Sequence, residues 1–316
     1  MPVMPVMERE LDGQALKEAL EAAKAQLEQH IDEVNSLNVF PVPDGDTGIN
    51  MFLTMESAVK AMEKSQDSSA AAISASAAKG ALMGARGNSG VILSQILRGI
   101  ASRLRERDSF SFSDFADALR VGSEQAYKVV AEPVEGTMLT VIREASEEAS
   151  QVTGKKTSFA RAISSVVVRA RETVKRTPEM LPVLKEAGVV DAGGKGLYYF
   201  FKGMESAICR KPVQGRHSKN YGGTAPAARN EERVYGFDVQ FLLEGEALPV
   251  EEITNKVIAS GECPLVVGDE KLLRVHVHTM NPDDILDYAR SKGELTDIVV
   301  EDMDQQVREK AESKGE

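Results

Sequence analysis

Three loops and one histidine pair in this chain have residue types and spacings suited to chemistry. The first loop is Asn38-Val39-Phe40-Pro41-Val42-Pro43-Asp44-Gly45-Asp46-Thr47-Gly48. Asp44 and Asp46 flank a glycine, so the chain can turn sharply and aim both carboxylates at one point. Pro41 and Pro43 remove backbone donors and stop a preceding helix. Hard Mg²⁺ takes oxygen ligands, usually one or two carboxylates completed by phosphate and water, and Asn38 can add an amide oxygen. Asp-Gly is also a common turn dipeptide with solvated carboxylates, so the pair alone leaves a plain turn open.

The second loop is Gly84-Ala85-Arg86-Gly87-Asn88-Ser89-Gly90, directly before the apolar run from Val91. The third is Val189-Val190-Asp191-Ala192-Gly193-Gly194-Lys195-Gly196. Small residues opening a helix leave N–H groups and the positive dipole end for a phosphate. Neither matches a P-loop, because Lys195 follows two glycines and precedes glycine instead of Ser or Thr. Such glycines can also simply cap helices; beside the acidic loop, they point to a Mg–nucleotide site.

His276 and His278 are one residue apart on a predicted strand, and a period of two puts both rings on one face while Val275 and Val277 pack on the other. Asp238 lies on the non-apolar face of another predicted strand and can sit beside them. Three such ligands with an open position suit catalytic Zn²⁺; two exposed histidines on a polar face are the other reading. Cys263 is a further candidate ligand. His30 and His217 receive no role.

The elements that must position these residues follow from the periodicity. The 316 residues, 42% hydrophobic and 28% charged, suit two domains of ordinary globular composition. With 38 Lys and Arg against 49 Asp and Glu, the net charge of −11 argues against a nucleic-acid or anionic-membrane surface. Any phosphate site must therefore rely on metal, backbone N–H groups and helix N-termini. No run approaches the length of a membrane span, and the start, Met1 to Met7, does not read as a secretory signal. Cys209 and Cys263 are too few for a disulfide framework, and the expected compartment is the cytoplasm.

Apolar residues three or four apart predict helices along residues 1–210: Leu16 to Val34, Phe52 to Met62, Val91 to Leu104, one capped by Ser113 and running to Val130, Thr137 to Ser150, Thr157 to Val174, and Gly194 to Cys209. No strand pair is expected before residue 230, so this part reads as an all-α bundle or barrel. Lys211 to Glu232, rich in Gly and Pro, reads as a linker. Residues 233–302 then follow the order β-α-β-β-α-β of a split βαβ unit, with strands at Tyr235–Leu243, Leu265–Val267, Leu272–His278 and Leu295–Val300. Residues 303–316 read as a charged tail.

Four motifs carry a family resemblance: N-V-F-P-V-P-D-G-D-T-G-I-N-M (Asn38 to Met51), G-A-R-G-N-S-G-V-I-L-S-Q (Gly84 to Gln95), E-G-T-M-L (Glu135 to Leu139) and V-V-D-A-G-G-K-G-L (Val189 to Leu197). Their order and wording resemble the nucleotide-binding (DhaL/DAK2) domain of the dihydroxyacetone kinase family, and most closely the ATP-binding subunit of bacterial fatty acid kinase. The resemblance covers about residues 10–210 and continues through the second domain. It implies an antiparallel helical barrel with ATP and Mg²⁺ at one end, followed by the small α+β domain. Magnesium carboxylates fall on Asp44 and Asp46, with Asn38 where related kinases carry a third acid. Nucleotide contacts fall on Asn50, Met51, Asn88, Ser89 and Gly90, on Thr137 and Met138 near the adenine, and on the closing loop Asp191, Ala192 and Gly193. The family's H-V-H pair binds zinc with a cysteine, and Asp238 stands in the cysteine's place here.

The activity so implied is ATP-dependent phosphorylation of a fatty acid carboxylate to acyl phosphate and ADP, with Asp44, Asp46, His276 and His278 as catalytic residues. The acyl substrate would be presented by a separate fatty-acid-binding protein of DegV type, and the kinase would be a homodimer. In the resembled kinase the chain continues into a partner-docking domain. Two alternatives stay open at this level: a phosphotransferase acting on dihydroxyacetone or another small hydroxy compound, and a non-catalytic nucleotide-sensing scaffold.

Overall fold

The computed structural model describes residues 10–153, 158–210 and 234–313. A three-residue strand, β1 (Glu10–Asp12), leads into α1 (Gly13–Glu28), where Leu16, Leu20, Ala23 and Leu27 form the buried stripe and the Asp12 carboxylate caps the Ala15 N–H. The stripe is interrupted near His30, and α2 (Ile31–Leu37) carries its last member, Val34. Then come α3 (Thr47–Glu63), α4 (Ala70–Met83), α5 (Gly87–Leu104), β2 (Ser109–Ser111), α6 (Phe112–Val129), α7 (Met138–Val152), α8 (Phe159–Met180), the short α9 (Pro182–Ala187) and α10 (Ala192–Ile208).

Most of the expected helices are present, with four differences. Helix α4 is an addition: its small, mostly apolar residues give no clear stripe, yet Ile73, Ala77 and Ala81 are buried. The cap of α6 is Ser111 instead of Ser113, because Ser111 and Asp114 form a reciprocal capping box. Residues Ser109–Ser111 also pair antiparallel with Glu10–Asp12, a ladder too short to show as alternation. Helix α8 starts at Phe159 with Ser158 as cap; Thr157 and the linker Lys211–Glu232 lie outside the described residues.

Neighbouring helices pack in the sequence α3–α4–α5–α6–α7–α8–α10–α1, and α1 packs against α3 again. Their shared core includes Phe110, Phe112, Phe115 and Phe159, whose rings meet edge-on or tilted. Burying each ring contributes about 1.5–3 kcal/mol. Gly99 and Gly122 let α5 and α6 approach closely, since a Cβ on Gly99 would lie 2.3 Å from the Gly122 Cα.

The second unit comprises β3 (Phe237–Glu244), α11 (Val250–Ser260), β4 (Glu262–Gly268), β5 (Leu272–Thr279), α12 (Pro282–Arg290), β6 (Glu294–Asp302) and α13 (Met303–Ser313). Its strands lie in the order β4-β5-β3-β6, each neighbouring pair antiparallel. Alternation sends Val239, Phe241, Leu243, Val275 and Val277 to one face, where Ile253, Val257, Ile285 and Ala289 cover them. The opposite face, with Asp238, Gln240, Arg274, His276 and His278, is buried as well.

That burial comes from docking on the helical unit. Ala85 and Val91 pack with Leu265 and Val267, and Arg86 pairs with Asp297 at 2.9 Å. The stretch read as a charged tail begins with helix α13: Met303 is buried, and Asp304 accepts the N–H groups of Tyr235 and Gly236. Its polar composition hides the helix, which is anchored by these contacts instead of an apolar stripe. Among the described residues, no helix is long and apolar enough to cross a membrane.

Candidate active site between the two units

The loop after α2 leaves Asn38 buried and brings Asp44 and Asp46 together at the start of α3. Asn38 Nδ2 donates to Asp44 Oδ1 at 2.5 Å, while Asn38 Oδ1 is buried without a hydrogen-bond partner. Asn50 Nδ2, one turn into α3, donates to Asp46 Oδ2 at 2.7 Å. Lys310 reaches over from α13, its Nζ donating to the Asn38 carbonyl at 2.9 Å and its chain lying against Gly45.

This pocket holds more acid than it neutralises. Burial, followed by the neighbouring Asp46, pushes the Asp44 carboxyl well above its usual range. Burial also raises Asp46, although hydrogen bonds from Asp44 and Asn50 oppose the rise. Glu301 is raised too, first by burial and then by the charge of Asp238. Crowded carboxylates with an unpartnered amide oxygen fit a hard divalent cation with oxygen ligands.

The N-termini of α3, α5, α7 and α10 open onto one cavity of about 570 Å³, lined by Thr47, Asn88, Ser89, Met138 and Gly193 among others. Thr137 and Asp191, which cap the last two helices, line it as well. Gly87 takes φ +54°, and a Cβ there would meet the Asn50 amide at 2.5 Å, so glycine is required where the loop turns into α5. Asp191 is buried and accepts the Gly194 N–H at 2.6 Å; burial nevertheless raises its carboxyl to about 7.

Of the expected nucleotide contacts, Asn50, Asn88, Ser89, Thr137, Met138, Asp191 and Gly193 line the cavity. Met51, Gly90 and Ala192 do not appear in its lining. Met51 is core, against Gly196; Gly90 packs on Thr54; and Ala192 is buried in the first turn of α10.

The sheet unit closes the opposite wall. Asp238 lies across from His278, and Gln240 across from His276, on the paired strands β3 and β5. One ligand atom each from Asp238, His276 and His278 lies within 4.8 Å of the others. Asp238 Oδ1 and His276 Nδ1 are 3.0 Å apart, yet neither atom has an aligned hydrogen bond, and His276 Nε2 has none either. Ligand atoms about 2.0–2.2 Å from a tetrahedral ion lie roughly 3.3–3.6 Å apart, so small adjustments would seat one. Burial, then His276, lowers His278 to about 4, leaving a neutral ring with a lone pair to offer. Burial opposes charge on Asp238, but the two histidines outweigh it and hold the carboxyl below its usual range. Cys263 lines the same cavity, outside this cluster of three. His30 stacks on Tyr199 away from it, and His217 lies outside the described residues.

Sequence reasoning passes over the residues that join the two walls. Gln240 Oε1 accepts the Gly87 N–H at 3.0 Å, and Gln240 Nε2 donates to Asp238 Oδ2 at 2.7 Å. Arg274, fully buried, donates to Asp297 and to the Ala85 carbonyl. The signal that could find them is a period of two, which places Gln240 beside Asp238 and Arg274 beside His276 on their faces.

A helical unit offering helix N-termini and paired acids, closed by a small sheet unit, recurs in known families. Residues 41–206 match the DAK2 domain, and residues 234–310 match the middle domain of FakA-like fatty acid kinase proteins. The chain belongs to the DAK2 family, in the FakA-like group related to fatty acid kinase. Among its relatives is Protein YloV of Bacillus subtilis (strain 168), 38% identical over 94% of this chain and 56% of its own length. An uncharacterized protein of Staphylococcus saprophyticus is 36% identical over 96% of this chain and 57% of its own. Another, from Staphylococcus aureus (strain USA300), is 34% identical over 95% and 57%. The chain thus spans little more than half the length of these curated relatives.

Proposed function

We propose that this chain transfers the γ-phosphoryl group of ATP to the carboxylate of a fatty acid, giving acyl phosphate and ADP. The observation that carries the reading is the single cavity, with Asp44, Asp46 and four helix starts on one wall and Asp238, His276 and His278 on the other. Asn38, Asp44 and Asp46 would hold Mg²⁺, which when bound neutralises the phosphates and stabilises the charge that spreads in the transition state. The starts of α5, α7 and α10 would align the nucleotide, with Asn88 and Ser89 at its phosphates.

A fatty acid carboxylate, with a pKa of about 4–5, is already ionised at neutral pH and needs no base. The chain must instead align two anions and exclude water. Asp238, His276 and His278 would hold a second metal, zinc by resemblance, which supplies a Lewis-acid anchor for the acyl carboxylate. Apolar lining residues, including Val130, Val134, Ile258 and Leu265, suit the first part of an acyl chain. A small hydroxy acceptor would leave the buried triad without a task.

The reading extends to a homodimer in the cytoplasm, served by a fatty-acid-binding partner of DegV type. Its proposed domains are residues 1–210 and 233–302, joined by linker 211–232, with α13 completing the second. The ring of helix contacts supports the barrel description, and the strand order β4-β5-β3-β6 supports the split βαβ description. The test is ADP release with the acyl-loaded partner as acceptor and glycerone as control. Turnover with the acyl acceptor alone is expected; turnover with glycerone alone would overturn the assignment.

A further inference from the structure

We propose that Gln240 is a positioning residue that couples metal occupancy at Asp238, His276 and His278 to phosphate binding at the start of α5. The proposal rests on the reading of the cavity as a metal and nucleotide site. Gln240 is 2% exposed, and both ends of its amide are engaged across the boundary between the units. Its orientation is fixed without ambiguity: the Gly87 N–H can only donate, so Oε1 faces Gly87 and Nε2 faces the Asp238 carboxylate. Arg274 Nη2 adds a longer contact to the same oxygen, 3.4 Å.

The chain of contacts continues on both sides. On one side, Asp238 Oδ1 is the atom aimed at His276 Nδ1, so an ion there would fix the carboxylate whose other oxygen holds Gln240. On the other side, Gly87 sits against Asn50, which donates to Asp46. The left-handed turn at Gly87 sets the direction of the following Asn88 and Ser89 N–H groups. Fixing Asp238 therefore fixes Gln240, and through it the loop that would meet the phosphates. Losing the ion frees Asp238 to turn and removes that constraint.

Two sites joined by one hydrogen-bonding amide should be positively coupled by roughly fivefold, the value of about one hydrogen bond. Calorimetric titration of Mg·AMP-PNP into zinc-loaded and zinc-stripped full chain, with Mg²⁺ in excess, measures the coupling. Wild type should bind the nucleotide about fivefold tighter with zinc, and Gln240→Met, which keeps length without donor or acceptor, should bind it equally in both states. In wild type, hydrogen exchange of the peptide containing Gly87 should also slow when zinc is added. A zinc effect of the same size in the variant, no zinc effect in wild type, or unchanged Gly87 exchange would overturn the coupling while leaving the two sites standing. Failure of wild type to bind either zinc or nucleotide would overturn the coupling and the reading beneath it together.

Discussion

Replacing Arg274 by Met should weaken the docking of the sheet unit on the helical unit without disturbing either core. The guanidinium is fully buried and donates to Asp297, to the Ala85 carbonyl and, more distantly, to Gln240. Breaking a buried ion pair costs about 3–5 kcal/mol when the remaining charge is stranded. Asp297 is not stranded here, because its side chain is 32% exposed and keeps Arg86 at 2.9 Å. The lasting penalty is the orphaned Ala85 carbonyl, about 1–3 kcal/mol, while Met fills most of the vacated volume. A loss of about 2–3 kcal/mol is therefore expected, which at roughly 2–4 °C per kcal/mol lowers the midpoint by about 4–12 °C. Differential scanning calorimetry reads this directly, and Arg274→Lys, which keeps the charge but loses the fork, should fall between. A midpoint within about 1 °C of wild type would refute the claim that this side chain holds the two walls together.

Asp46→Ala should lower phosphoryl transfer by about 10²–10³ or more, through lost stabilisation of developing charge, with an unchanged helical circular dichroism spectrum; near-normal turnover would remove this loop from the site. His276→Ala combined with His278→Ala should abolish stoichiometric metal in elemental analysis of the purified chain, and retained metal would place the ion elsewhere. Asp191 titrates near 3.8 when unfolded but is raised to about 7 when folded, so the folded protein binds the extra proton between those values. Stability should fall as pH rises from about 4 to 7, at most by about 1.4 kcal/mol per unit, and Asp191→Asn should flatten that slope. Urea unfolding at pH 5 and pH 7 measures it, and a wild-type slope of the opposite sign would contradict the assignment.

Much of the site is legible in the sequence because its residues break local patterns. Asp238 interrupts an apolar alternation, His276 and His278 share a face by spacing, and the acid pair sits in a proline-flanked loop. Local rules fail where local contrast is weak: α4 is nearly uniform in small residues, and Ser111 and Ser113 offer two caps for one helix. The joint between the two units is illegible for a different reason. Gln240 meets Gly87 from 153 positions away, and Arg274 meets Ala85 from 189. On a strand read alone, both look like polar residues facing water. Only docking of the sheet face on the helix starts turns them inward, and that long-range pairing leaves no periodicity. The same docking explains α13, whose polar sequence carries Lys310 to the acidic loop.

The central claim is that phosphate leaves ATP at the Asp44–Asp46 wall for a carboxylate held at the Asp238–His276–His278 wall. Trapping with hydroxylamine tests it most directly, since acyl phosphate is converted to a hydroxamate that mass spectrometry identifies. With Mg·ATP and an acyl-loaded partner, wild type should yield the fatty acyl hydroxamate in step with ADP, and both Asp46→Ala and the double histidine variant should not. ADP released without hydroxamate, or hydroxamate undiminished when the histidines are gone, would contradict it.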